Sequence, residues 1–472
     1  MGNATTASVT GVQVAPAKSA IRDLPIAKVW AFAVGQFGWA LLSGIISNWL
    51  VYFYQPDQET ISQGQTVFVP QGLVVLGIVT VVGGITAFAR FFDAFVDPAV
   101  ASLSDRCDAK SGRRMPFLKF AALPLAVVTV LVFWSPINGT SWVNAAFLFV
   151  TVIGYYIALT FYCTPYNALI AELGHDSKQQ LTISTAISFT WVAGTAIAYV
   201  APVIWGAFVP MRGRITAIRV TFTIMAAVAF VCMLVPPLAI REKDYVNSHP
   251  TSESTIESLK QTFGDGEFRK FVCSDVVYWV AITTFQTGLP FFVTSLLKLP
   301  ETTTTIYFVL MTGVSVLFYL PVNILANKVG KKRLLLVAFV IFTCAFAFAG
   351  ALGSAVLGFI PAMAQGLVLS VVGAIPMAAF GILPQAIVAN IADASSKTTG
   401  QDRQGMFYAA RTFAMKMGQS VAMLLFTGVS TIGMASGAGY RIAAVCAAVL
   451  CGLGGIVFAF YNEKKVLGVL ET

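Results

Sequence analysis

Three charged residues lie close together in the second long apolar stretch of the sequence, FARFFDAFVDPAV. Arg90, Asp93 and Asp97 are three and four residues apart, so an α-helix places all three on one face. A charge at mid-membrane depth costs about 2.5–3.5 kcal/mol on insertion scales, so such residues normally face a cavity or a partner. Two carboxylates one helical turn apart can bind a hard cation or a proton.

Two interpretations of this charged stripe are open. The surplus of acids over bases favours a cation or proton site formed by Asp93 and Asp97. Pro98 supports this interpretation because it lacks an N–H and disfavours helical geometry at the preceding residue, which frees backbone oxygens beside both carboxylates. The alternative is a structural ion pair of Arg90 with Asp93, which leaves Asp97 at the membrane interface.

A single lysine lies inside the eleventh apolar stretch, FYAARTFAMKMGQSV. Lys416 is far from the end of this segment, so its side chain is poorly placed to extend its ammonium group to the membrane–water interface. If the two halves of the chain pack face to face, Lys416 opposes Asp93 and Asp97 in a central cavity. The alternative is that Lys416 extends to the interface together with Arg411.

The composition excludes most soluble and enzymatic classes. The chain has 472 residues, of which 57% are apolar and 11% charged, whereas soluble proteins contain about 25% charged residues. Its 7 cysteines have neither paired-ligand spacing nor an even count, and its 2 histidines, His175 and His249, lie in polar stretches. We therefore expect a membrane protein that is not an enzyme and has no resident metal or cofactor.

The apolar runs predict twelve membrane-spanning helices, since about 20 residues cross about 30 Å of hydrocarbon. Strand-type alternation is absent, so an all-helical bundle is favoured over a barrel. The predicted segments are 28–54, 70–103, 116–136, 142–172, 181–208, 215–240, 269–297, 303–327, 332–355, 357–391, 404–432 and 439–461.

The longest polar interruption divides these segments into six and six. The predicted organisation is a cytoplasmic tail (1–27), an N-terminal six-helix bundle (28–240), a cytoplasmic linker (241–268), a C-terminal six-helix bundle (269–461) and a cytoplasmic tail (462–472). No apolar region with a cleavage pattern precedes Trp30, so no signal peptide is expected.

The charge distribution predicts the orientation in the membrane. With both termini in the cytoplasm, most of the 30 Lys and Arg residues lie on the cytoplasmic side, as the positive-inside bias requires. Arg212 and Arg214 are a local exception, which also allows that their loop is misplaced. The net charge of +9 therefore needs no nucleic-acid partner, and a multi-pass protein of the plasma (inner) membrane is expected.

Two short basic turns indicate an internal repeat. LSDRCDAKSGRR (103–114) follows the second segment, and LANKVGKKR (325–333) follows the eighth. Equivalent loops in two six-helix halves are typical of parallel repeats in major facilitator transporters. The alternative is that any cytoplasmic hairpin collects basic residues.

The pattern R-x-x-D-x-x-x-D-P-x(6)-D-R-x(5)-G-R-R-x-P, from Arg90 to Pro116, resembles the signature of the glycoside–pentoside–hexuronide:cation symporters. YCTPYNALIAELGHD (162–176) resembles the fourth segment of that family and its following loop. The resemblance implies the major facilitator fold, with Asp93 and Asp97 as coupling carboxylates for Na⁺, or alternatively Li⁺ or H⁺. It also implies Thr160 as a hydroxyl ligand and Lys416 as the link between the cation and substrate sites. Structural or gating roles are implied for Arg90, Asp105, Arg106, Gly112 and Arg113.

The sequence departs from this family at three polar sugar anchors, which fall at Ala40, Cys163 and Ala186. Sugars are also held by stacking and neutral hydrogen bonds, so other polar and aromatic residues are candidates to replace the anchors. These weaker candidates for substrate binding are Gln36, Trp39, Tyr162, Tyr166, Asn167 and Trp191.

Three functions are compatible with the sequence. The first is cation-coupled symport of a sugar, glycoside or similar small solute by alternating access, performed by a monomer in the lipid bilayer. The second is cation-coupled transport of a lysolipid or other amphipathic solute. The third is a receptor or scaffold that retains the fold without transport, which the presence of Asp93, Asp97 and Lys416 disfavours.

Overall fold

The computed structural model describes residues 23–246, 261–399 and 404–471, apart from 76, 78, 108, 110, 111, 175, 176, 434 and 435. The predicted tails and linker lie partly outside the described residues. His175 and His249 lie outside them. Among the described residues all the long elements are α-helices, and the predicted all-helical membrane fold is confirmed.

The helices follow the predicted apolar segments. In chain order they are α1 (Ile26–Tyr54), α2 (Gln58–Ser62), α3 (Val81–Asp105), α4 (Met115–Val132), α5 (Trp142–Leu173), α6 (Ser177–Tyr199), α7 (Ala201–Arg212), α8 (Arg214–Ala239), α9 (Gly266–Phe291), α10 (Thr302–Val329), α11 (Lys331–Ala351), α12 (Ala362–Thr399), α13 (Gln404–Val429), α14 (Ala438–Ala459) and α15 (Glu463–Glu471). A π-helical turn, Phe292–Leu296, extends α9. We refer to α1–α8 as the N-terminal helices and to α9–α15 as the C-terminal helices.

Two predicted boundaries were wrong by more than five residues. The second segment begins at Val81 rather than at residue 70, because the side chain of Thr80 caps the helix by accepting a hydrogen bond from the backbone N–H of Gly83 at 3.0 Å. The tenth segment continues to Thr399, beyond the predicted residue 391.

Ten stretches of helix in the described part of the chain are long and apolar enough to cross a membrane. The remaining two long helices, α3 and α13, fall outside that group. They are the helices that carry the charged stripe and Lys416. Both helices therefore carry charged residues within an otherwise apolar stretch.

The basic turn before α4 is held by a carboxylate from after α8. Glu242 accepts hydrogen bonds from the backbone N–H groups of Arg113, Arg114 and Met115 at 2.9, 2.8 and 3.0 Å. Gly112 has a φ of +120°, and a Cβ at this position would clash with the Glu242 carboxylate. A glycine is therefore required where the chain enters α4.

The same arrangement recurs at the start of α11. Glu463, which follows α14, accepts hydrogen bonds from the backbone N–H groups of Lys331 and Lys332 at 3.0 and 3.2 Å. Gly330 precedes them with a φ of +95°. A carboxylate at a helix N-terminus is favoured by the free N–H groups and the helix dipole. This repeated contact supports the internal repeat predicted from the two basic turns.

Close helix packing brings the N-terminal and C-terminal helices together along α3 and α13. Ser420 donates a hydrogen bond to the backbone carbonyl of Ala87 at 2.8 Å. One turn earlier on α3, a Cβ at Gly83 would clash with the side chain of Thr427, so this contact also needs a residue without a side chain. The two helices run antiparallel, and the next contact along them lies between the charged stripe and Lys416.

Hydrogen bonds join the N-terminal and C-terminal helices at the end of the bundle where α1 stops and α10 begins. Glu301 accepts from Tyr52 at 3.0 Å and from Trp205 at 2.5 Å. Arg214 forms a bidentate ion pair with the same carboxylate at 2.6 and 3.1 Å. We call this the closed end. The ion pair gives Arg214, an exception to the orientation predicted from the sequence, an acidic partner within the protein.

A second carboxylate strengthens the closed end. Asp57 caps α2 through the backbone N–H of Thr60 at 2.9 Å, and it also accepts hydrogen bonds from Thr294 at 2.7 Å and from Ser295. Gln55 donates to the carbonyl of Thr427 at 2.9 Å. These bonds link the region after α1 to the π-helical turn of α9 and to α13. The N-terminal and C-terminal helices are therefore held together at this end of the bundle.

Candidate functional site

A cavity of about 520 Å³ lies between the N-terminal and C-terminal helices. At the closed end it is bounded by the rings of Tyr199 and Phe308, which stack with centroids 3.4 Å apart. Toward the other end, the lining residues Asn167 and Thr412 are exposed. The cavity therefore opens away from the closed end.

Asp93 and Lys416 meet inside this cavity. The ammonium of Lys416 lies 2.7 Å from Oδ2 of Asp93, whose side chain is only 2% exposed. The other carboxylate oxygen, Oδ1, accepts a 2.5 Å hydrogen bond from the Thr160 hydroxyl. Asp93 thus has a cationic and a hydroxyl partner on different helices, which compensates for its burial.

Asp97 repeats this arrangement one turn further along α3. Its Oδ2 lies 2.5 Å from the Lys416 ammonium, and its Oδ1 accepts a 3.1 Å hydrogen bond from Thr164. Asp97 is more open, with 27% of its side chain exposed. Asp97 follows Asp93 by four residues on α3, and Thr164 follows Thr160 by four residues on α5. The two helices therefore present facing rows of oxygen ligands.

These five side chains form the charged cluster, which consists of Asp93, Asp97, Thr160, Thr164 and Lys416. Carboxylate and hydroxyl oxygens are ligands for hard cations, and here they surround a lysine ammonium. The ammonium occupies the place between the carboxylates where a monovalent cation has its strongest attraction. A cation that binds here must share the carboxylates with Lys416 or displace it.

The structure excludes the two structural alternatives for these charges. Arg90 does not pair with Asp93; its guanidinium donates to Ser47 at 3.3 Å and lies 4.9 Å from the Tyr156 ring centroid. Lys416 does not extend to an interface with Arg411, because Arg411 forms a bidentate ion pair with Asp275 at 2.9 and 3.1 Å. Arg90, Arg411 and Lys416 thus have different partners, because the orientation of each helix about its own axis points each side chain toward different neighbours.

The remaining motif residues lie at the open end of the bundle. Asp105 pairs with Arg114 at 2.9 Å, and Arg113 pairs with Glu172 at 3.1 Å. Arg106 is exposed directly after α3. Together with Gly112, these residues fix the turn between α3 and α4 and tie it to the end of α5. Their predicted structural or gating role stays a prediction.

The predicted substrate residues fall into two groups. Trp39, Asn167 and Trp191 line the cavity, and the two indole rings lie 4.9 Å apart. Gln36, Tyr162 and Tyr166 lie outside the lining. Tyr162 donates to the carbonyl of Met233 at 2.9 Å and Tyr166 to that of Phe32 at 2.7 Å, because buried hydroxyls need a partner within the protein.

Gln36 has an indirect connection to the cavity, since its side-chain oxygen accepts a 3.2 Å hydrogen bond from the Trp39 indole. Gln36 therefore orients a residue that lines the cavity. A role in substrate binding stays a prediction for all six candidates.

Sequence reasoning missed several residues of the cavity. Thr164 had a usable signal, since it follows Thr160 by the same four residues that separate Asp93 and Asp97. Asn48, Trp279, Thr312 and Gln419 also line the cavity. Their segments contain other polar or aromatic residues as well, so no spacing distinguished these four before the helices were packed.

Comparison with known proteins identifies the family. The family model described as MFS/sugar transport protein matches residues 31–462. The chain belongs to this family. The resemblance to glycoside–pentoside–hexuronide:cation symporters drawn from the motif is thereby confirmed. Membership also agrees with the charged cluster, whose residues all lie within the matched range.

Curated relatives carry symporter names. The chain is 25% identical over 226 residues to the inner membrane symporter YicJ of Escherichia coli (strain K12), which is 47% of each chain. It is 23% identical over 359 residues to the uncharacterized symporter YjmB of Bacillus subtilis (strain 168), covering 74% of this chain and 75% of the relative.

A third relative is named for its substrate. The isoprimeverose transporter of Lactiplantibacillus pentosus is 24% identical over 175 residues, which is 37% of this chain and 33% of the relative. The chain therefore spans about half or less of the length of YicJ and of the isoprimeverose transporter.

Solved structures support the fold. The nucleoside transporter NupG superposes with a TM-score of 0.60 at 14% identity, covering 93% of this chain and 99% of NupG. A structure titled for substrate recognition in proton dependent oligopeptide transporters gives a TM-score of 0.65 at 10% identity, covering 95% of this chain and 100% of that one. The predicted major facilitator fold is confirmed, and identity this low establishes the fold alone.

Proposed function

We propose that the chain is a monomeric secondary active transporter that couples the symport of a sugar, glycoside or similar small solute to entry of Na⁺. The observation that carries the proposal is the contact of Lys416 with both Asp93 and Asp97, because it joins a C-terminal helix to an N-terminal one through the candidate cation ligands. The whole charged cluster comes from one chain, which supports a monomer.

The proposed mechanism is alternating access. N-terminal and C-terminal six-helix bundles, 28–240 and 269–461, rock about the cavity, so that it opens to one side of the membrane at a time. The repeated carboxylate contacts of Glu242 and Glu463 support this division. With the basic turns and both termini in the cytoplasm, the cavity opens inward in the present conformation. We place the protein in the plasma (inner) membrane.

Coupling follows from competition for the carboxylates. When Na⁺ binds to Asp93 and Asp97, the ammonium of Lys416 is released from the contacts that hold α3 against α13. The attraction between the two sets of helices thus depends on cation occupancy. A solute that binds the same helices completes the loaded state, which then reopens on the opposite side.

Uptake into proteoliposomes tests this function. Radiolabelled isoprimeverose is offered under an inward Na⁺ gradient, an inward pH gradient or no gradient, each with and without a negative interior potential. We expect accumulation only with the Na⁺ gradient, increased by the potential. If uptake follows the pH gradient alone, the coupling cation is H⁺ rather than Na⁺. If solute is exchanged but neither gradient accelerates its uptake, the coupling proposal is contradicted.

Thr160→Val tests the cation ligand set. The substitution keeps the side-chain shape but removes the hydroxyl that lies 2.5 Å from Asp93. Because a hydrogen bond to a charged group contributes about 1.5–3 kcal/mol, we expect the half-saturating Na⁺ concentration to rise about tenfold or more. The measurement is the Na⁺ dependence of initial uptake.

Thr151→Val is the matched control on the same helix, since among the described residues the Thr151 hydroxyl bonds only to carbonyls of its own helix, at 2.9 and 3.1 Å. An unchanged Na⁺ dependence in Thr160→Val, with the variant folded, removes Thr160 from the ligand set.

Glu301→Gln tests whether the closed end is a gate. Breaking a buried ion pair costs about 3–5 kcal/mol, and Glu301 accepts from three residues with only 11% of its side chain exposed. We expect the equilibrium to shift toward an open end by about two orders of magnitude or more. Hydrogen–deuterium exchange of residues 55–65 should accelerate accordingly.

Asp244→Asn is the control for this gate, because Asp244 is an exposed carboxylate that follows α8 and lies outside residues 55–65. It should leave the exchange of residues 55–65 unchanged. If Glu301→Gln also exchanges at the wild-type rate, the Glu301 contacts do not hold this end closed.

A further inference from the structure

Four charged side chains line the cavity: Arg90, Asp93, Asp97 and Lys416. Two are basic and two are acidic, so their charges cancel. Asp93, Asp97 and Lys416 belong to the charged cluster, whereas Arg90 does not. We propose that the charge of Arg90 neutralises the cavity of the unloaded carrier, so that its change of conformation moves no net charge through the membrane potential. This inference rests on the proposed transport function and specifies the step that the potential drives.

Arg90 contacts neutral groups of the N-terminal helices. Its guanidinium donates to Ser47 on α1 at 3.3 Å and lies 4.9 Å from the ring centroid of Tyr156 on α5. Its Nε has no hydrogen-bond partner among the described residues, and no ion pair joins Arg90 to a carboxylate among them. These contacts compensate poorly for a charge inside a membrane segment, which is costly. The charge of Arg90, more than its contacts, is therefore the feature that needs an explanation.

Other buried charges of the bundle do not alter this balance. Asp275 pairs with Arg411 at 2.9 and 3.1 Å, and Glu301 pairs with Arg214 at 2.6 and 3.1 Å. Each pair is neutral as a unit and lies outside the cavity lining. Asp57 lies beyond the cavity, at the closed end. The charge that changes sides when the carrier switches is therefore the charge of the lining residues and of whatever they bind.

The closed end determines where the membrane potential falls. Water and ions in the open part of the cavity keep its lining near the potential of the side to which it opens, so most of the potential falls across the closed end. When the carrier switches, the barrier moves to the other side of the cavity, and the lining takes the potential of the opposite side. The charge moved through the potential is thus the net charge of the cavity and its contents.

This balance assigns the effect of the potential to one step. The unloaded cavity is neutral, so the return of the unloaded carrier does not respond to the potential. With one monovalent cation and an uncharged solute the cavity carries one positive charge, and a negative interior of about 100 mV favours inward movement about fifty-fold. The same holds for Na⁺ and for H⁺.

Without Arg90 the effect of the potential moves to the other step. The unloaded cavity then carries one negative charge, which a negative interior drives outward, and the loaded cavity is neutral. One positive charge still enters in each complete cycle, so the limit of accumulation is the same. Arg90 therefore decides which step is accelerated by the potential, and it leaves the energy available for transport unchanged.

Hydrogen–deuterium exchange of residues 55–65 at the closed end tests the unloaded carrier. The full chain is reconstituted in one orientation, without Na⁺ or solute, and a K⁺ diffusion potential of zero or about 100 mV, interior negative, is imposed. We expect the wild type to exchange at the same rate at both potentials. Arg90→Gln, with one net negative charge, should open the closed end more often under the potential and exchange up to about fifty-fold faster.

A change of sign and its compensation test the charge balance itself. Asp97→Asn leaves one net positive charge, so the potential should slow the exchange of residues 55–65 instead of accelerating it. The double variant Arg90→Gln/Asp97→Asn is neutral again, and its exchange should not respond. A structural role of Arg90 does not produce this reversal and restoration. If Arg90→Gln does not fold, the wild type and Asp97→Asn still decide: were the charge of Arg90 without effect, the wild type would respond and Asp97→Asn would not.

Two further variants control for the loss of an arginine. Arg90→Lys keeps the charge and should behave as the wild type does. Arg219 also lies against aromatic rings, 5.6 Å from the centroid of Phe68 and 5.2 Å from that of Trp134, but outside the cavity lining. Arg219→Gln should therefore exchange at a rate that does not depend on the potential. A wild type that responds to the potential, or an Arg90→Gln variant that does not, overturns the inference.

Failure of the proposed function is detected separately, by uptake of isoprimeverose. Because the charge moved per cycle is the same, Arg90→Gln should approach the accumulation ratio of the wild type. If no cation gradient drives accumulation in the wild type, the transport proposal is wrong. The voltage response of the unloaded carrier is measured without Na⁺ or solute, so it does not depend on that result.

Discussion

Asp93→Asn is expected to reduce cation-driven accumulation from about fifty-fold to about one. One positive charge moved inward across 100 mV supplies about 2.3 kcal/mol, and about 1.4 kcal/mol corresponds to tenfold, which gives the fifty-fold limit. Asparagine keeps the shape but removes the charge of a carboxylate that is 2% exposed and contacts Lys416 at 2.7 Å. Lys416 then remains with Asp97, and the cation loses one of its two charged ligands.

Exchange of solute across the membrane without net accumulation should survive in Asp93→Asn, because the loaded carrier can return without releasing the cation. The measurement is the inside-to-outside solute ratio at an imposed potential, together with counterflow. Asp244→Asn, an exposed carboxylate outside the cavity, is the control that should keep the wild-type ratio. Unchanged gradient-driven uptake in Asp93→Asn removes this residue from the coupling site.

Lys416→Ala is expected to abolish accumulation by a different route. Without the ammonium, Asp93 and Asp97 face the cavity as two uncompensated carboxylates, since Lys416 is their shared partner at 2.7 and 2.5 Å. Removal of this internal competitor should lower the half-saturating Na⁺ concentration while the solute ratio falls to about one. Tighter cation binding combined with lost coupling is the specific result, because damage to folding weakens both.

Lys416→Arg should also lose coupling, since a planar guanidinium does not replace a compact ammonium between two carboxylates. Lys464→Ala, on the exposed surface of α15, is the control for loss of a lysine. A solute ratio that stays far above one in Lys416→Ala shows that this lysine is structural.

The sequence alone predicted the all-helical fold and the positions of the charged residues. Hydrophobic length identifies the membrane segments because the bilayer requires about 20 apolar residues for each crossing. Helical periodicity places Asp93 and Asp97 on one face, and the cost of burying charge makes them candidates for function. These inferences depend on properties that lie within a single segment, so no knowledge of neighbouring helices was needed.

Only the tertiary structure decided which charges meet. Arg90 is only three residues from Asp93, but it contacts Ser47 and Tyr156, whereas Lys416, from a distant segment, contacts both carboxylates. The rotation and register of α3 against α5 and α13 determine these partners. They are set by small residues such as Gly83 and by bonds such as Ser420 to Ala87, which no local pattern reveals.

Helix packing also determines which candidates for solute binding line the cavity. By residue type alone, Tyr162 and Tyr166 were candidates for solute binding equal to Trp39. In the packed bundle, however, the two tyrosine hydroxyls donate to backbone carbonyls. Packing also brings Asn48 and Gln419, which lie far apart in the sequence, to one cavity. Periodicity thus determines which face of a helix a residue occupies, while the packing of the other helices determines what that face meets.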